Sequence, residues 1–129
     1  MKKTEVDVFE KLVGQLQSLL SELAMLAKKS PNDAVNTFKL KFINSTLDQC
    51  NAFLGKKYRP FADFAVFAED DLPSNSDTTF IISQYIECAE KFRSDNIVMQ
   101  YGAWYWIVDG EEEDDRSMIT APPKKLVNK

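Results

Sequence analysis

The sequence predicts an α+β domain: an N-terminal αα-hairpin, one or two further helices, and a C-terminal β-hairpin or small antiparallel sheet packed on them. Three observations predict this class. Apolar residues recur at three-and-four spacing through the first two helical stretches; clusters of serine, proline, asparagine and aspartate punctuate the periodic segments; and β-branched and aromatic residues take over after Asn96. A chain of 129 residues with 44% hydrophobic and 28% charged residues suits one core, so a single domain is expected over residues 1–121, followed by a basic tail over 122–129 that frays.

The first helix carries Val6, Phe9, Leu12, Val13, Leu16, Leu19, Leu20 and Leu23 on one face, ending at Leu26 or Ala27. Thr4 with Asp7 is the expected cap, and Lys28-Lys29 suit the negative C-terminal end of the helix dipole. Gly14 inside it costs about 1 kcal/mol relative to alanine, which a long buried stripe can absorb. Ser30-Pro31-Asn32-Asp33 reads as the next helix start, with serine as N-cap and proline in the first turn. Its stripe is Val35, Phe38, Phe42, Ile43, Leu47, Cys50, Phe53 and Leu54, and Gly55 is the expected left-handed stop. The leucines and phenylalanines of this hairpin are expected to face inward together.

Phe61, Phe64, Phe67 and Ala68 after Pro60 favour a third helix, with a short buried strand over 64–68 as the alternative. Asp77, or Ser76 before it, should cap a helix bearing Phe80 or Ile81, Ile82, Tyr85, Ile86, Ala89 and Phe92, ending near Ser94-Asp95-Asn96. Residues 97–101 and 103–108 are strand chemistry, with Gly102 a candidate bulge between them. Asp109-Gly110 opens an acidic loop, residues 116–120 are placed to return as a partner strand, and Pro122-Pro123 stops the sheet.

Composition closes several function classes. The chain has no histidine, so Ser-His-Asp, Cys-His and histidine-based zinc sites cannot be assembled from it. Its 4 glycines are scattered, so neither a P-loop nor a dinucleotide-binding turn can be written. Cys50 and Cys88 lie in helical patterns and read as buried, reduced thiols. Asp63, Glu87 and Glu90 are the carboxylates available for acid–base work, each with a solvated position as the simpler reading. No cofactor is expected. Nor is a metal: an EF-hand loop counted from Asp109 would need glycine where Asp114 stands and glutamate where Thr120 stands.

No apolar stretch approaches the roughly 18 residues a spanning helix needs, and Glu5, Asp7, Glu10 and Lys11 interrupt what would be a leader. A cytoplasmic location without membrane association is therefore expected. Charge is strongly segregated: +3 over residues 1–58, −11 over 59–115 and +4 over 116–129. The lysines of the first half, Lys28, Lys29, Lys39, Lys41, Lys56 and Lys57, read as dispersed solubilising charges, and no nucleic acid partner is expected.

What remains is the aromatic strand and the acidic run. If Trp104 and Trp106 point to one face, Tyr105 and Ile107 point to the other; one face packs on helices, and the second is either covered by the Pro122-Pro123 tail and neighbouring loops or left as a Tyr-rich or Trp-rich binding patch. Tyr105, Trp104 and Trp106 with Glu111, Glu112, Glu113, Asp114 and Asp115 are the candidate partner-binding residues. The expected function is a non-enzymatic protein–protein interaction module of the inhibitor, immunity-type or adaptor kind, with an unidentified protein partner whose basic surface would match the acidic loop. The alternatives are a small carboxylate-based enzyme or ligand-binding protein, and a homo-oligomeric scaffold joined through the first helix.

Overall fold

A computed structural model describes residues 1–124. Three helices, α1 (Lys3–Lys29), α2 (Thr37–Tyr58) and α3 (Asn75–Ser94), precede three short strands, β1 (Ile97–Gln100), β2 (Ala103–Trp106) and β3 (Ile119–Thr120), which form one antiparallel sheet in the order β1-β2-β3. The α+β class expected from the sequence is what the chain adopts.

Helix α1 is the axis of the molecule. Its stripe of Val6, Phe9, Leu12, Leu16 and Leu23 is buried, as the periodicity requires, and α1 packs most extensively against α3. Its cap differs from expectation: the Lys2 amide donates to the Glu5 carboxylate at 2.8 Å, so Glu5 and not the Thr4–Asp7 pair satisfies the first turn. Phe9 is the hub where all the elements meet. Its ring lies 5.7 Å from Phe53 of α2, 5.2 Å from Phe92 of α3 and 5.4 Å, edge on, from Trp106 of β2.

The hairpin connection corrects the sequence reading. Ser30-Pro31 does not start α2; Asn36 does, its side chain accepting from the Lys39 amide at 2.8 Å. Residues 30–36 instead pair with the segment entering α3. The Val35 amide donates to Pro73 O, the Asn75 amide to Asp33 O, and the Asn75 side chain to Ser30 O, all at 2.9 Å. These distant carbonyls and amides satisfy backbone groups that a first helical turn would have left open.

The inward stripe of α2 also differs. Leu40, Ile43, Leu47, Cys50 and Leu54 are buried, whereas Phe38 and Phe42, expected beside them, are 72% and 52% exposed. Leu40 starts a strict i, i+3, i+7 series that turns the two phenylalanines onto the adjoining face. Gly55 breaks the helix at φ 62°, ψ −172°. The positive φ matches expectation, but the ψ belongs to the extended glycine-only region instead of the left-handed helical one.

Residues 61–68 form neither the expected helix nor the alternative strand but an irregular loop held by α2. The Asn44 side chain brackets Phe67, accepting from its amide at 3.0 Å and donating to its carbonyl at 2.9 Å, and the Asn51 side chain donates to Ala65 O at 2.9 Å. Asn51 in turn accepts from the buried Tyr85 hydroxyl at 2.6 Å, which ties the loop through α2 to α3. Helix α3 starts two to three residues before the expected cap, with Ser74 accepting from the Asp77 amide at 3.0 Å.

Strands β1 and β2 join through Tyr101-Gly102, whose φ values of 51° and 79° are those of a two-residue I′ hairpin turn, so Gly102 is a turn residue and not a bulge. Residues 116–120 do return, as the two-residue strand β3 against Trp104 and Tyr105. The segment expected to fray is anchored through Lys124. Residues 125–129 of it lie outside the described residues. The anchor is Arg93, which is buried on α3 and uses every N–H of its guanidinium: two on the Glu90 carboxylate at 2.8 and 2.9 Å, and the others on Thr120 Oγ1, Ala121 O and Pro122 O at 2.8–3.0 Å. The Lys124 amide donates to the same Glu90 carboxylate at 2.9 Å. No described helix is long and apolar enough to cross a membrane.

Candidate protein-binding surface

Register assigns the faces of the sheet. Ile97 opposes Trp106, Met99 opposes Trp104 and Trp104 opposes Thr120, so these side chains share the face toward the helices. Trp106 is fully buried there against Val6, Phe9, Ala89, Ile97 and Val108, and half-buried Trp104 packs on the same cluster. Trp106 is therefore a structural residue of the core, which corrects its placement in the expected binding set, while Trp104 is partly buried against that core. The indole N–H of Trp106 has no partner among the described residues.

Val98, Tyr105 and Ile119 lie in cross-strand register on the opposite face. Val98 and Tyr105 are half-buried by their neighbours, Ile119 is 68% exposed, and Ile107 continues the row at 40%. The Pro122-Pro123 segment does not cover this face, because Arg93 holds the chain from Thr120 to Pro122 against α3. Tyr101, 84% exposed, stands at the hairpin tip beside the row.

The acidic run divides into inward and outward carboxylates. Asp109 accepts from the Met1 amine at 3.2 Å, and its own amide donates to Met1 O at 2.8 Å, which docks the start of α1 on the loop. Glu111 accepts from the Ser117 hydroxyl and amide and lies 3.7 Å from the Lys3 ammonium; the hydrogen bonds from Ser117, and Lys3 beside it, hold its carboxyl below the usual range. Its side chain is only 11% exposed, so Glu111 closes the loop and does not reach out from it. Asp114 accepts from the Tyr101 hydroxyl at 3.0 Å. Glu112, Glu113 and Asp115 are exposed, and their carboxylates have no hydrogen-bond or ion-pair partner among the described residues. Of the residues expected to bind a partner, Tyr105 lies on the outer sheet face, Asp114 is held beside Tyr101, and Glu112, Glu113 and Asp115 are exposed in the loop that leads from β2 to β3. The structure adds Ile119 and Val98, which pairing register would identify once β3 had been aligned to β2.

Asp63 is exposed in the 61–68 loop. Burial pushes the Glu90 carboxyl up, but the hydrogen bonds from Arg93 and the Lys124 amide, with the charges of both residues, outweigh it and hold the group below its ordinary value. That is the opposite of what a general acid needs. Five surface grooves on the described residues carry one carboxylate or none. No described trio of Asp, Glu or Cys converges as metal ligands would. Neither cysteine is in a disulfide, and burial pushes the Cys50 thiol up to about 12, where it is protonated and inert at neutral pH.

Compared with known proteins, the chain matches no family model, no curated protein and no solved structure.

Proposed function

We propose that this chain is a non-enzymatic protein-binding module that offers the outer face of its sheet to a partner with a basic surface. The observation that carries the reading is the cross-strand row Val98–Tyr105–Ile119 on the face turned away from the helices, where Ile119 is 68% exposed, together with Glu112, Glu113 and Asp115 in the loop before β3, exposed and without side-chain partners among the described residues. An apolar strip with one aromatic anchor is the composition of an interface centre, and exposed charge that of its edge. Seating an exposed isoleucine such as Ile119 in a partner pocket contributes about 1.5–3 kcal/mol. The loop carboxylates act mainly on encounter rate and partner choice.

The test is capture on the immobilised full chain, followed by affinity measurement with whatever is retained. Replacing Tyr105 and Ile119 by serine should weaken binding by at least about tenfold. Changing Glu112, Glu113 and Asp115 to their amides should slow association and flatten its salt dependence. The control is Met25→Ser, which alters an equally exposed apolar residue on α1, 65% exposed and on no sheet face. A retained partner that binds all the variants alike would refute the reading, provided circular dichroism shows them folded.

A further inference from the structure

At the opposite end of the helices from the sheet, the N-terminal half of α2 presents an apolar and charged surface of different make-up. Phe38 and Phe42 stack edge to face at 5.0 Å while 72% and 52% exposed. An open groove of about 560 Å³ runs beside them, lined by Thr37, Phe38, Leu40, Lys41, Asn44 and Glu69. Its other side is formed by Glu69, the first residue of the 3-10 turn Glu69–Asp71, which is followed directly by Leu72, 62% exposed. Leu72 sits at φ 47°, ψ 57°, a conformation that disfavours any residue with a Cβ and that here leaves an apolar side chain in solvent.

The two walls of the groove carry opposite charge. Lys41 stands on the α2 wall and Glu69 and Asp70 on the turn, yet none of these three groups makes an ion pair or side-chain hydrogen bond within the described chain. Phe38 lines the groove on the α2 side with Phe42 stacked on it, and the exposed Leu72 follows the turn on the other. A two-fold axis through such a groove would set the Lys41 wall of each copy against the Glu69–Leu72 wall of the other, using every exposed group twice.

We infer that the groove between the start of α2 and the 69–72 turn is an isologous contact through which two copies of this chain associate. The occupant is a second copy because the two sides of the groove carry opposite charges, Lys41 and Glu69, that have no partner among the described residues, so the surface is complementary to itself in charge. The contact is independent of the sheet surface proposed above and lies away from it, so a dimer would display two sheet faces and bind a multivalent partner with avidity.

The test is sedimentation equilibrium of the full chain from about 1 µM to about 1 mM, a range that covers weak self-association. Wild-type protein should convert from monomer to dimer within this range. Lys41→Glu alone, and Glu69→Lys with Asp70→Lys together, should each raise the midpoint concentration by at least about tenfold, because symmetry repeats every repulsion. An equimolar mixture of the two should recover the wild-type midpoint, since each then meets its complement. Leu72→Gly separates interface from fold: glycine accepts the positive φ, so thermal stability should rise while dimerisation weakens. A protein that stays monomeric throughout overturns the inference. So does a dimer that withstands the reversals, or one that the reversals dissolve and mixing fails to restore.

Discussion

Replacing Arg93 by methionine keeps the aliphatic length of the side chain and removes its guanidinium. In the native protein the Arg93 and Glu90 side chains are each only 10% exposed, and their two hydrogen bonds at 2.8 and 2.9 Å form a bidentate pair. Breaking a buried pair by deleting one member costs about 3–5 kcal/mol, most of it from the charge left behind. The lower end applies here, because the Lys124 amide still donates to Glu90 and the freed carbonyls of Ala121 and Pro122 belong to exposed residues that water can reach. About 3 kcal/mol is a large share of the 5–15 kcal/mol expected for a domain, and corresponds to a fall in Tm of about 10 °C. Urea unfolding at pH 7 followed by circular dichroism measures it directly. The pH dependence checks the cause. The folded Glu90 carboxyl lies below its ordinary value, so its stabilising contribution is complete above the ordinary carboxylate range and is lost as pH falls through the folded value. In R93M the same carboxyl is unpaired and prefers its proton, so the gap between the two proteins should narrow as the pH drops below about 4. A loss under about 1 kcal/mol at pH 7, or one that does not shrink in acid, would refute the clamp.

Four further outcomes follow from other parts of the fold. Trp106→Ala should cost about 3–5 kcal/mol in urea titrations, whereas Trp106→Phe should cost well under half of that, since the indole N–H has no partner to lose. Gly55→Ala should destabilise by about 1–3 kcal/mol even though an added Cβ meets nothing within 4 Å, because the backbone conformation is the obstacle. Gly14→Ala, in equally open space inside α1, should instead stabilise by up to about 1 kcal/mol, and calorimetry of the pair gives opposite signs or the argument fails. Asn44→Ala should release both hydrogen bonds to Phe67 and raise the rate of limited proteolysis within 61–68 severalfold, with little effect on sites elsewhere.

Local pattern made the long elements legible. The stripe of α1, the extent of α3 and the change to strands after Asn96 could all be read because each rests on contacts that repeat at a fixed spacing. The segments 30–36 and 61–68 could not, because their backbone partners are distant in sequence: Pro73 and Asn75 for the first, Asn44 and Asn51 for the second. Phe38 and Phe42 were misplaced because two adjacent faces of α2 both obey three-and-four spacing; Leu40, in step with Ile43 and Leu47, was the residue that distinguishes them. On the sheet, alternation alone separated the tryptophans from Tyr105, but it could not say which face meets the helices. That depends on Phe9 of α1, itself packed on Phe92 of α3, meeting Trp106. The division of the acidic run was likewise hidden, since Glu111 turns inward to meet Ser117 and Lys3 by the shape of the loop and not by its composition.

The central claim is that the outer sheet face, and not the tryptophan face, meets a partner. NMR of the labelled full chain, titrated with a captured partner, tests it most directly. Resonances of Val98, Tyr105, Ile107 and Ile119 should shift or broaden together, with those of Glu112, Glu113 and Asp115, while the Trp106 indole signal stays in place. Perturbations confined to the helices, with the signals of this sheet face unchanged at saturation, would contradict the claim.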